Sequence, residues 1–104
     1  MRVQFFNSQL EDFIAHLEKP TIAKTVRMIS FLERFGHQLG MPHSKCIGDR
    51  LFELRIRGDQ EIRIFYTFYN NSAMLLYAYV KKSQSIPSKV LATVRQRLEA
   101  LDTI

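Results

Sequence analysis

Between residues 50 and 80 the chain alternates apolar and polar residues with a period of two, and that pattern leaves little choice of fold. In "RLFELRIR" (50–57), Phe52, Leu54 and Ile56 fall on one side, with Glu53, Arg55 and Arg57 on the other. In "EIRIFYTFY" (61–69), Ile62, Ile64, Tyr66 and Phe68 oppose Glu61, Arg63, Phe65 and Thr67. "AMLLYAYV" (73–80) is a third strand-like run. "GDQ" (58–60) and "NNS" (70–72) are short enough to join neighbouring antiparallel strands, so the segment predicts a meander.

The flanks read as helices. "RVQFF" (2–6) is a short strand candidate, and Asn7 or Ser8 can cap a helix carrying Leu10, Phe13, Ile14 and Leu17. Pro20 suits the first turn of a second helix, in which Ile22, Val26, Ile29, Leu32 and Phe35 keep the helical period until Gly36 stops it. "GHQLGMPHSKCIGD" (36–49) predicts a loop, and from Pro87 onward Val90, Leu91, Val94, Leu98 and Leu101 form a last helical stripe. These elements predict an α+β domain. An N-terminal helical hairpin and a C-terminal helix pack on one face of a mainly antiparallel sheet of three to four strands. With 104 residues and no repeat or linker, residues 1–104 form one domain.

Charge narrows the partners. The net charge of +5 is uneven: residues 45–97 carry ten Lys/Arg against four Asp/Glu, whereas residues 1–44 carry five against four. Such a local excess suits a polyanionic partner, but by itself it fits a merely basic soluble surface equally well. No apolar run approaches the roughly 18 residues of a membrane span, and the N-terminus has no signal-peptide block. A single cysteine, Cys46, forbids an intrachain disulfide and fits the reducing cytoplasm.

If Phe52, Leu54 and Ile56 face the helices, Arg55, Arg57 and Arg63 face outward together, beside Lys81 and Lys82 at the end of the next strand. Guanidinium forks grip phosphate oxygens, lysines add point charge, and the interleaved Phe65 with Tyr77 or Tyr79 can stack on bases. The competing reading is a solvated face on which Glu53 and Glu61 pair with the arginines. His37, His43 and Cys46 share a loop, but their spacing matches no standard metal site, and no third group orients Cys46 as a nucleophile. "GHQLG" lacks the Lys-Ser/Thr that completes a phosphate loop.

"LFELRIRGDQEIRIFYTF", followed by "MLLYAYVKKSQSIP" and a final helix, resembles the HigB branch of the RelE/ParE toxin superfamily. That branch shows an L-[WF]-E-L-R strand, a [YI]-R-[IV]-[FL]-Y strand, and an apolar strand ending in KK before [ST]-Q-x-x-P. The likeness covers residues 39–97 well and the N-terminal hairpin loosely. It implies a RelE-like fold and the toxin of a toxin–antitoxin pair, silenced by a cognate antitoxin, a helix-turn-helix protein encoded beside it. Such toxins cleave mRNA on the ribosome without a metal or other cofactor, by attack of a 2'-OH on the adjacent phosphate. Carried over, the catalytic residues are Arg55, Arg63, Lys81 and Lys82, with Lys45 and Arg57 on the RNA. Some relatives place a tyrosine early in the last helix. "PSKVLATV" has none, so a tyrosine contribution falls to Tyr66, Tyr77 or Tyr79. Two alternatives stay open, because fold alone does not separate them: a ParE-like DNA gyrase poison, and a nucleic-acid-binding module without chemistry.

Overall fold

The computed structural model describes residues 1–103. In chain order the elements are β1 (Arg2–Phe5), α1 (Ser8–Ala15), α2 (Lys19–Phe35), β2 (Ser44–Gly48), β3 (Leu51–Ile56), β4 (Ile62–Tyr69), β5 (Ser72–Val80) and α3 (Ser88–Asp102), with a single 3-10 turn at Gly36–Gln38 after α2. The strands form one sheet in the order β1-β5-β4-β3-β2. β1 runs parallel to β5, and every other neighbouring pair is antiparallel.

Local chemistry sets the boundaries. The Asn7 side chain accepts a hydrogen bond from the Leu10 N–H (3.2 Å) and so caps α1. Pro20 sits in the first turn of α2, where its missing N–H costs nothing. Gly36, at φ +53°, ends that helix with its N–H on the Leu32 carbonyl. Asn70 and Asn71 both take positive φ (50° and 58°), the conformation of a two-residue hairpin turn whose twist matches its strands.

The sheet is covered on both faces, which corrects the expectation that all three helices share one. Against one face, Leu10 and Ile14 of α1 with Met28 and Leu32 of α2 pack on Leu54, Ile56, Ile62, Ile64, Tyr66 and Leu75. Against the other, Val90, Val94 and Leu101 of α3 pack on Leu51, Phe65, Met74 and Leu76. The reason lies in the two central strands. Ile62 through Thr67 are buried without interruption, as are Ser72 through Leu76, and a strand buried on both faces cannot keep strict alternation.

Two other expectations shift. The sheet has five strands among the described residues rather than three to four, because "SKCIG" pairs with β3 inside the segment expected to be a loop. It is a short edge strand with mostly exposed side chains, so its sequence carries no apolar alternation to read. On α2 the buried line is Thr21, Thr25, Met28 and Leu32, whereas Val26 and Phe35 are 53% and 44% exposed. A buried threonine is tolerated because the Thr25 hydroxyl donates to the Thr21 carbonyl (2.8 Å).

Leu32 and Val94 are both fully buried, on opposite sides of the sheet. Leu32→Ala is expected to cost about 2–5 kcal/mol, with a smaller loss for Val94→Ala. Because the two residues lie in separate clusters on opposite faces of the sheet, the double variant should equal the sum of the singles within about 0.5 kcal/mol in urea denaturation. A larger coupling would mean one shared core.

Candidate functional site

Sheet register gathers most of the residues singled out by sequence. Arg55 lies opposite Arg63, and Arg63 opposite Tyr79, forming one row across β3, β4 and β5. The row beside it runs Lys45, Glu53, Phe65, Tyr77 across β2 to β5. Directly opposed residues share a face, and here it is the face that α3 packs on.

Two arginines opposed on adjacent strands repel unless something intervenes, and Glu53 does. Its Oε1 accepts from Arg55 Nε at 3.0 Å, while Oε2 lies 4.0 Å from Arg63 Nε. Glu61 Oε2 accepts from Arg63 Nη1 at 3.0 Å, and the same nitrogen donates to the Ile62 carbonyl at 3.2 Å. Arg63 is 3% exposed, as is Glu53. This corrects the expectation of an outward, solvent-facing Arg63, whose side chain is 4% exposed and held beside Glu53 and Glu61. The ion-paired reading of the face therefore describes the inner part of the row.

The open cations gather at the end of the sheet. A cleft of about 450 Å³ is walled by Arg57, Glu61, Arg63, Lys81 and Lys82, and closed by Ser83 and Gln84. The Lys81 N–H donates to the Glu61 carbonyl at 2.7 Å, which ties the segment after β5 to the start of β4 and holds the lysine pair at the mouth. Four cations face one carboxylate there.

The remaining predicted residues scatter. Arg55 lies outside the cleft, in ion pair with Glu53. Lys45 is exposed on edge strand β2, also outside it. Tyr66 is corrected outright as an RNA-contacting residue: it is 1% exposed in the core beneath α1 and α2, with its hydroxyl hydrogen-bonded to Ser44. Tyr77 packs under the Arg97 guanidinium (5.3 Å), and Tyr79 stacks parallel on Phe65, 6.0 Å away. The Tyr79 hydroxyl is buried without a hydrogen-bond partner. His37 stacks on Phe68 (3.8 Å), His43 meets the edge of Phe31, and Cys46 donates to the Gly48 carbonyl, so the three are engaged separately.

Arg97 escaped sequence reading. The β4–β5 ladder slips between Phe65 and Tyr66, where Phe65 pairs with Tyr77 but Tyr66 pairs with Leu75. Leu76 is the extra residue, and Arg97 of α3 satisfies its carbonyl while lying over Phe6 and Tyr77. A bulge has no signature in a single strand, so nothing announced this arginine.

Burial raises the Tyr79 phenol above its ordinary value of 10.0; Glu53 adds to the rise and Arg63 opposes it. Burial likewise raises Tyr66, with the Ser44 hydrogen bond working against it and Cys46 adding to it. At neutral pH both stay protonated, so Tyr79 can donate a hydrogen bond but cannot take a proton. Folded-state values above the unfolded one mean that stability is complete below pH 10 and falls as pH rises through the raised values. Alkaline denaturation should therefore begin above pH 10, and Tyr66→Phe should flatten the loss of stability with pH there, read by urea midpoints across the range.

Removing one partner from a buried pair leaves the other uncompensated. Arg63→Ala is expected to lower stability by about 3–5 kcal/mol, towards the lower end because Glu53 keeps Arg55 and Glu61 is partly exposed. A urea midpoint unchanged from wild type would show that the pairs carry no weight in the fold.

The family described as Phage derived protein Gp49-like (DUF891) matches residues 12–99, a span that contains the whole cleft and both rows. No curated protein matches the chain.

Proposed function

The chain belongs to the Gp49-like family of phage-derived, toxin-like proteins, and from that premise we propose that it is the toxin of a toxin–antitoxin pair, a ribosome-dependent mRNA endoribonuclease. The observation that carries the reading is the cleft at the sheet end, where Arg57, Arg63, Lys81 and Lys82 surround a space of about 450 Å³. It is open on one side, which suits a strand of nucleic acid better than an enclosed small molecule. Among the described residues no helix is long and apolar enough to cross a membrane.

In the proposed reaction an RNA 2'-oxygen attacks the adjacent phosphorus and the P–O5' bond breaks, leaving a 2',3'-cyclic phosphate and a 5'-hydroxyl. The 2'-OH loses a proton and the leaving oxygen gains one. Arg63, fixed by Glu61 and the Ile62 carbonyl, presents a guanidinium that does not have to reorganise as charge builds on the phosphorane. Arg57 and Lys82, both exposed, steer and hold the flanking phosphates. Proton exchange in this reading is assigned to Lys81 and Lys82. Arg55 acts through Glu53 on the position of Arg63, and Lys45, exposed on β2 outside the cleft, offers a further contact to the phosphate backbone. The ribosome supplies much of the in-line alignment, since a domain this small grips little RNA by itself. A helix-turn-helix protein from the adjacent gene is the proposed antitoxin.

Induced expression should arrest bacterial growth, with breaks inside translated codons by primer extension and intact naked RNA in vitro. Lys81→Ala and Lys82→Ala are the clean tests. Lys82 is exposed, and alanine at 81 keeps the backbone bond to Glu61. Loss of a transition-state charge donor typically costs about a hundred- to a thousand-fold, so at least one variant should lose cleavage at unchanged thermal stability. DNA breaks with intact message would favour the gyrase-poison reading, and normal growth at verified folded expression would remove the toxin.

A further inference from the structure

A second basic recess, which meets the cleft at Arg57, lies between α2 and the free end of β3. β2 begins only at Ser44, opposite Leu54, and a backbone bond just outside that pair runs from the Arg55 N–H to the His43 carbonyl (2.8 Å). Beyond it Ile56 and Arg57 extend past their neighbour. The groove left there holds about 310 Å³, with Met28, Phe31 and Ile56 among its apolar lining and Lys24, Arg27 and Arg57 around it. None of the lining residues is acidic, and among the described residues none of these three cations has a carboxylate within 4.0 Å. Apolar side chains flanked by cations that no internal acid neutralises make a surface complementary to an anionic partner with its own apolar side chain.

The aromatic geometry decides which class of partner fits. Phe31 is the ring a base would need as a platform, but the Arg27 guanidinium lies over it at 5.5 Å, and the His43 ring meets it at 5.7 Å in an edge arrangement. With those neighbours in place the ring is not a free stacking surface, and Met28 and Ile56 offer none. A leucine- or phenylalanine-sized side chain suits the recess, with carboxylates on either side reaching Lys24 and Arg27.

We propose that this groove docks an acidic protein segment that inserts an apolar anchor between α2 and the β3 edge. The proposal is independent of the RNA-cleavage reading. Arg57 borders both recesses, so the test uses Lys24 and Arg27, which are exposed on α2 and line only the groove. Three fluorescent probes are titrated into the purified full chain at moderate salt. The first is a 15-residue amphipathic peptide rich in glutamate with leucine at helical spacing; the second replaces each leucine by serine; the third is a single-stranded RNA 15-mer. The acidic leucine peptide is expected to bind at least ten-fold more tightly than its serine counterpart. Lys24→Glu combined with Arg27→Glu is expected to weaken it at least ten-fold. The matched charge change on the opposite side of the sheet, Lys89→Glu with Arg95→Glu on α3, should shift it less than three-fold. Equal losses in the two double variants would reduce the effect to net charge and overturn the proposal. So would equal binding of the leucine and serine peptides, or a groove variant that loses RNA but keeps the peptide.

Discussion

Glu53 is held out of water between two guanidinium groups, and the sheet end of this protein depends on that placement. Arg55 and Arg63 face each other across β3 and β4, so without a carboxylate between them like charges would be opposed in a region where water screens poorly. At an effective dielectric near 20, two unit charges about 4 Å apart interact by roughly 4 kcal/mol. The attraction to Glu53 is offset by the cost of drying all three groups, so the cluster adds little net stability over an apolar replacement. Its effect is geometric. Arg63 is anchored from Glu61 on one side and faces Glu53 on the other, and a long flexible side chain becomes a fixed one.

Helix α3 explains why this cluster sits at the edge of a cleft rather than on an open plain. Its apolar side chains cover Leu51, Phe65, Met74 and Leu76. The row of Arg55, Arg63 and Tyr79 lies one step further along the same strands, and the bulge at Leu76 with Arg97 on its carbonyl pins the helix nearby. A sheet covered on both faces needs more apolar residues than one covered on a single face, and β4 and β5 supply them. At the strand ends the exposed Arg57 and Lys82 meet the buried Arg63.

Sequence patterning made the meander, its turn residues and the helices legible because each has a local cause: period-two alternation, the Asn70–Asn71 pair, Pro20, Gly36 and the apolar stripe after Pro87. That Arg55 and Arg63 share a face followed from alternation, but the pairing of Arg63 with Tyr79 depends on the bulge at Leu76 and was not legible. Burial was not legible. Alternation assigns Arg63 to the side opposite Ile62 and Ile64, which is correct, but cannot say that α3 lies over that side. The uninterrupted run "MLLYAYV" was the available signal for burial on both faces. Edge strand β2 and Arg97 were hidden for a different reason, since one has no apolar pattern and the other answers a backbone irregularity that depends on two strands.

The cations of the cleft are unlike one another, and the difference divides the work of the proposed reaction. Arg63 has its counter-charges beside it inside the protein and little freedom, so it can define where a phosphate sits but adds little to long-range attraction. Lys82 and Arg57 are exposed and have no carboxylate within ion-pair distance among the described residues, so they supply the field that draws a polyanion in. Glu53 lies behind the arginine row, away from the mouth, and Glu61 is the only carboxylate among the residues that line the cleft. The resulting field is directional. An approaching phosphate meets mobile positive charge first and a fixed guanidinium second, the order in which capture precedes alignment.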